Sequence, residues 1–79
     1  MKKLDILWSN KDHEPNQDTV LVTDEQLSSI LADWLLITKV SPQFTNAVFQ
    51  ANFEIGKPVQ LFVNGEAVGE FCPRTADAV

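Results

Sequence analysis

The single histidine of the chain lies in an acidic segment. His13 is flanked by Asp12 and Glu14. A histidine beside carboxylates can bind a metal ion, or it can act as a general base that a carboxylate orients. No second residue stands at a metal-ligand spacing, and the segment lacks the alternating oxygen ligands of a calcium loop. We therefore expect a solvent-exposed loop histidine.

Cys72 is the other residue that could carry out chemistry. A lone cysteine excludes an internal disulfide and a zinc site built on several thiolates. The nearest cation in sequence is Arg74, so we expect Cys72 to act as a small hydrophobic residue. No serine stands in a nucleophile-elbow sequence, and the three glycines form no phosphate-binding loop. We predict a protein that is not an enzyme and holds no metal or cofactor.

The charge of the chain is unevenly distributed. The chain contains eleven acidic and six basic residues, and residues 12–38 contain no lysine or arginine. The acids in this window are Asp12, Glu14, Asp18, Asp24, Glu25 and Asp33. Such a surface repels phosphate backbones, which disfavours nucleic-acid binding. The acidity either maintains solubility or docks a basic protein partner. For the second case, Asp12, Glu14 and Asp18 are the candidate contacts.

Aromatic residues supply the other candidate contacts, since they are enriched at interface hot spots. Trp34 falls on the apolar stripe of a predicted helix, which favours a role in the core. Trp8 ends a short predicted strand, so core and interface stay open for it. Phe49 and Phe53 form an i, i+4 pair beside the apolar stripe of a second predicted helix. Trp8, Phe49 and Phe53 are therefore candidate partner-binding residues.

Two strands are predicted in the first third of the chain. Alternating apolar residues predict a strand at residues 4–8. Residues 10–18 are polar, contain a proline and lack periodicity, which predicts a loop. A β-branched run predicts a second strand at residues 19–23, although an extended lead-in to the next helix is the alternative.

The first helix has the clearest signals. Thr23 and Gln26 have the spacing of a capping box, which predicts a helix start. We expect the helix to cover residues 24–39, because apolar residues recur at helical spacing. They are Leu27, Ile30, Leu31, Trp34 and Leu35.

A second helix is predicted over residues 42–55. Ser41 can cap its N-terminus, and Pro42 suits the first helical position. Gly56 and Pro58 form a stop signal, because glycine allows a left-handed exit and proline prevents continuation.

The last third predicts a β-hairpin. Two apolar runs, residues 58–63 and 67–72, flank Asn64-Gly65, the preferred pair for a type I′ turn. Neither face of the hairpin is purely polar. This pattern suggests either a bulge near Gly69 or a sheet partly covered on both sides.

We therefore predict an α+β fold in which two consecutive helices pack on a small antiparallel sheet with a C-terminal β-hairpin. Residues 1–79 form one domain, with residues 74–79 as a flexible tail. The predicted core consists of Leu27, Ile30, Leu31, Trp34, Leu35, Val48 and Leu61. On this basis Leu31→Ala should cost roughly 2–5 kcal/mol.

Residues 56–71 locally resemble the strand pair of the surface-presentation domains of flagellar switch and type III secretion rings. They are also similar to the closing hairpin of prevent-host-death antitoxins, since both families carry a Gly-x-Pro-Val run before such a turn. The likeness covers about a fifth of the chain. The first family implies a strand-rich domain where this chain has two predicted helices. The second implies a basic DNA-contacting surface, which this acidic chain lacks.

These observations favour a small, acidic, non-enzymatic protein that binds another protein, as an inhibitor, immunity protein or adaptor does. The alternative is a structural subunit that forms a homo-oligomer, such as a homodimer, through its C-terminal hairpin. No apolar run approaches the roughly 20 residues of a membrane span, and the N-terminus does not resemble a signal peptide. We expect no membrane contact and a cytoplasmic location.

Overall fold

The chain folds into a four-stranded antiparallel sheet with helices packed on one face. The structure, a computed structural model, describes residues 1–72, so the predicted tail at residues 74–79 lies outside the described residues. The strands are β1 (Lys2–Ser9), β2 (Pro15–Val22), β3 (Val59–Val63) and β4 (Glu66–Phe71), in the sheet order β2-β1-β3-β4. The predicted α+β class and C-terminal hairpin are confirmed.

A tight turn joins β1 to β2. The Asn10 side-chain oxygen accepts hydrogen bonds from the backbone amides of Asp12 and Glu14, both at 3.0 Å. This turn lets β2 begin at Pro15, so the predicted loop over residues 10–18 was too long. The polar start of β2 becomes a strand because it pairs with β1 along the whole length of both strands.

Helix α1 (Asp24–Ala32) begins at the predicted capping box. The Thr23 hydroxyl accepts from the Gln26 amide at 3.1 Å, and the Gln26 side chain accepts from the Thr23 amide at 2.9 Å. The helix ends earlier than predicted. Asp33 leaves the helical conformation, and its carboxylate accepts from the Leu35 amide, which starts a separate 3₁₀ helix (Trp34–Lys39). This local hydrogen bond competes with continuation of the α-helix.

Helix α2 (Pro42–Phe49) begins at Ser41 as predicted. It ends six residues before the predicted end, because Ala51 adopts a left-handed φ of 50°. The Asn52 amide donates to Ala47 O at 2.8 Å, and the Ala51 amide donates to Val48 O at 3.1 Å. These two bonds form a Schellman motif, with alanine where glycine is usual.

The hairpin turn has the predicted left-handed pair, with φ of 54° at Asn64 and 81° at Gly65. The predicted irregularity is also present. Leu61 pairs with Gly69, whereas Phe62 pairs with Ala67, which leaves Val68 as the extra residue of a bulge.

The core lies between the helices and one face of the sheet. An aromatic cluster occupies its centre: the Phe44 ring lies 5.2 Å from Trp8, 6.5 Å from Trp34 and 6.3 Å from Phe71, centroid to centroid. Trp34 and Phe71 stack at 5.0 Å. The buried residues are Leu4, Ile6, Trp8, Val22, Leu27, Ile30, Ile37, Phe44, Ala47, Val48, Phe53, Val59, Leu61 and Val63.

The predicted core was partly wrong. Leu27, Ile30, Val48 and Leu61 are buried as predicted. Leu31 is 46% exposed, and Trp34 and Leu35 are only half-buried. The break at Asp33 changes the helical phase, so that Ile37 becomes fully buried in the core.

Candidate protein-binding site at the outer edge of the sheet

Among the candidate contact residues, Asp12 and Glu14 are exposed in the β1–β2 turn. Phe49 is 79% exposed at the end of α2. These three side chains are accessible to a partner.

The other three candidates, Trp8, Phe53 and Asp18, are buried. Trp8 points to the helix face of the sheet and packs edge-on against Phe44. Phe53 returns to the core because the chain reverses after α2, where the Glu54 amide donates to Ser9 O at 2.7 Å. Asp18 is only 9% exposed, and its carboxylate accepts from the Ser41 hydroxyl at 2.5 Å and from Gln43 Nε2 at 3.4 Å.

His13 is exposed, as predicted for a loop histidine, and makes one contact of note. Its Nδ1 atom lies 2.9 Å from a carboxylate oxygen of Glu54, which joins the β1–β2 turn to the segment after α2. Within residues 1–72, no group of three or more His, Cys, Asp or Glu side chains is arranged to hold a metal ion. Over the same residues, no helix is long and apolar enough to cross a membrane.

The acidic window does not form one continuous field. Asp24 pairs with Lys2 at 3.2 Å, Asp33 caps the 3₁₀ helix, and Asp18 is buried. Glu25 is exposed on α1, and Asp12 and Glu14 lie together in the turn before β2, next to the exposed Lys11.

Strand β2 forms one edge of the sheet and directs backbone groups outward. The Asn10 amide donates to Glu14 O at 2.9 Å, and the register continues without interruption along β1 and β2. In an antiparallel ladder, hydrogen-bonded residue pairs alternate with non-bonded pairs. The backbone groups of even-numbered β2 residues therefore bond to β1, and those of odd-numbered residues face outward. Gln17, Thr19 and Leu21 each present an N–H and a C=O group, and Pro15 presents a carbonyl.

The two edges of the sheet differ in how well they are protected. Natural edge strands are commonly shielded by bulges, charges or proline. Strand β4 has the bulge at Val68 and two glutamates, Glu66 and Glu70. Strand β2 has proline only at its first position, and its one charged residue, Asp18, is turned toward the helices. The β2 edge is therefore the more open of the two.

A small pocket of about 150 Å³ lies between β2 and α2. Its floor consists of the buried residues Trp8 and Ala47. Four carboxamide side chains line it: Asn16 of β2, Gln43 and Asn46 of α2, and Asn52. The pocket therefore offers hydrogen-bond donors and acceptors without a net charge.

Neither this edge nor this pocket was predicted from the sequence. Gln43 and Asn46 are three residues apart on a predicted helix, a spacing that places them on one face. Asn16 was assigned to a loop, so its position opposite that face could not be inferred. Comparisons of the chain with known protein families, with curated proteins and with solved structures found no match.

Proposed function

We propose that this protein is a non-enzymatic binding protein that accepts an extended segment of another protein along the outer edge of β2. The observation that carries the proposal is the eight-residue β2 edge, whose outward backbone groups lack the protection found on β4. A bound segment would add a fifth strand to the sheet, a common mode of peptide recognition. We place this activity in the cytoplasm and expect it to need no cofactor.

Backbone pairing would supply much of the affinity. Each hydrogen bond that replaces a bond to water contributes a net of about 0.5–1.5 kcal/mol. The outward groups of Gln17, Thr19 and Leu21 recur every second residue, which matches the repeat of a partner strand. Leu21 is also exposed on the open face, where it adds apolar contact.

The charge at one end of the edge favours a basic segment. Asp12 and Glu14 are exposed in the turn that precedes β2. They would attract a lysine or arginine of the partner, and they would repel nucleic-acid phosphates.

Self-association is the second candidate function. An extended edge can pair with the same edge of another copy around a two-fold axis. The bulge and glutamates of β4 favour β2 over the C-terminal hairpin as the contact. A net charge of −5 on each copy opposes such a homodimer.

The proposal can be tested with a phage-displayed library of random heptapeptides panned against the folded protein. We expect enriched peptides that contain lysine or arginine. Their binding to the ¹⁵N-labelled protein should shift the NMR signals of residues 15–22 and slow amide exchange at Gln17, Thr19 and Leu21. Enrichment of no peptide, or shifts that avoid β2, would contradict the proposal.

Backbone N-methylation in the synthetic protein provides a matched control. Methylation of the outward Thr19 amide should keep the fold and weaken peptide binding by roughly tenfold. A two-residue turn is closed by hydrogen bonds between Val63 and Glu66, so the next amide, of Ala67, faces outward from β4. Methylation of Ala67 should leave peptide binding unchanged.

A homodimer through β2 would instead appear as a dimer in sedimentation of the unmodified protein, and methylation of Thr19 would abolish that dimer.

A further inference from the structure

We infer that the pocket between β2 and α2 receives a carboxamide side chain, asparagine or glutamine, from the segment that pairs with β2. This inference rests on the proposed function, because it assigns a sequence preference to the same bound strand.

The position of the pocket follows from the pleat of the sheet. Asn16 projects from β2 toward the helix layer, on the same face as Asp18. A partner strand would lie about 4.8 Å from β2, and its residue opposite Asn16 would point to that same face. Because Trp8, the β1 neighbour of Asn16, lies under the pocket, that side chain would reach past Asn16 into the space beside Gln43 and Asn46.

The chemistry of the pocket selects among possible side chains. A carboxamide both donates and accepts hydrogen bonds, which matches a rim of four carboxamides. An aliphatic side chain would cover these polar groups without bonding to them, which is unfavourable. A carboxylate would be repelled by Asp18, the next residue of β2 on the same face. An ammonium group would donate hydrogen bonds to the rim oxygens but offer no acceptor to the amide nitrogens of Asn46 and Asn52.

The lining also limits size and orientation. The volume of about 150 Å³ suits a short side chain better than an aromatic one. The Gln43 amide nitrogen lies 3.4 Å from an Asp18 oxygen, which holds this side chain along the rim. The Asn16 amide nitrogen lies 3.4 Å from the Glu14 carbonyl, which orients Asn16 in the same way.

Together the pocket and the turn define a short motif. In an antiparallel partner, the residue opposite Glu14 comes two positions after the residue opposite Asn16. The preferred segment therefore carries asparagine or glutamine, then any residue, then lysine or arginine.

The test uses four heptapeptides of alternating threonine and valine, with one lysine two positions after a variable central residue. The central residue is glutamine, leucine, glutamate or lysine. By isothermal titration with the wild-type protein, we expect the glutamine peptide to bind roughly tenfold more tightly than each of the others. Equal affinities for the four peptides would overturn the inference.

Variants of the protein separate the pocket from the edge. Asn46→Ala should weaken binding of the glutamine peptide several-fold and leave binding of the leucine peptide unchanged. Gln60→Ala changes an exposed carboxamide on the opposite face of the sheet and should affect the binding of neither peptide. If all four peptides bind equally and Thr19 N-methylation still weakens them, the pocket inference fails and the proposed function stands. If no peptide shifts the NMR signals of β2, both fail.

Discussion

The Ser41 hydroxyl connects the edge strand to helix α2 through Asp18. It donates to the Asp18 carboxylate at 2.5 Å and accepts from the Phe44 amide at 3.1 Å. One buried side chain therefore both caps the helix and satisfies a buried charge of β2. This contact fixes the spacing between β2 and α2, and with it the width of the pocket.

Removal of this hydroxyl should be costly. Ser41→Ala removes an N-cap, worth about 1 kcal/mol, and leaves the buried Asp18 carboxylate without its closest donor, worth about 1–3 kcal/mol more. We expect a loss of about 2–4 kcal/mol in the free energy of unfolding, measured by urea denaturation. Gln43→Ala removes only the longer contact to Asp18, at 3.4 Å, from an exposed side chain and should lose less than half as much. Equal losses in the two variants would show that the hydroxyl does not make this contribution.

A glycine should stabilise the end of α2. Ala51 is held at a left-handed φ of 50°, which glycine adopts with less strain. We expect Ala51→Gly to raise the free energy of unfolding by about 0.5–1 kcal/mol. Ala32→Gly, in the last turn of α1, is the matched control and should lower it by a similar amount. A destabilised Ala51→Gly protein would contradict the Schellman motif.

Two adjacent residues of α1 should respond very differently to truncation. Ile30 is 2% exposed, so Ile30→Ala should cost about 2–5 kcal/mol. Leu31 lies at the rim over Gly69, and Leu31→Ala should cost about 1 kcal/mol or less. Thermal melts of the two variants provide the comparison. A larger loss of stability for Leu31→Ala than for Ile30→Ala would support the core predicted from the sequence, in which Leu31 is buried.

Charge at the β1–β2 turn should control the rate of peptide association. Neutralisation by Asp12→Asn with Glu14→Gln removes the exposed acids beside β2, so association of a lysine-containing peptide should slow and become less dependent on salt. Stopped-flow measurements at two salt concentrations test this expectation. The control pair, Glu66→Gln with Glu70→Gln, makes the same change in charge at β4 and should have little effect. Unchanged association rates in the variant with Asp12→Asn and Glu14→Gln would indicate that the acidic residues serve solubility alone.

The sequence was most informative where a local signal acts alone. The Thr23 capping box, the Ser41-Pro42 helix start and the Asn64-Gly65 turn were predicted and are present. Predictions failed where a short-range contact outweighed a longer pattern. The apolar periodicity continues past Asp33, but the Asp33 carboxylate starts the 3₁₀ helix at that point.

The candidate site was less predictable because it depends on long-range pairing. Asp18 and Ser41 are 23 residues apart, and no local pattern indicates that they are bonded. Trp8 and Phe53 are also hard to assign from the sequence, because aromatic side chains suit either a core or an interface. The fold decides between these roles, since both side chains lie on the side of the sheet that the helices cover.

The central position of β1 has a consequence for synthesis on the ribosome. Leu4 pairs with Val63, so β1, an interior strand of the sheet, meets its second neighbour only after β3 has been made. The nascent chain can form the β1–β2 ribbon early, but the inner edge of β1 stays unpaired until β3 emerges. We therefore expect the emergence of β3 from the ribosome, and not the order of the helices, to time the final folding step, with a slow rate typical of non-local strand pairing.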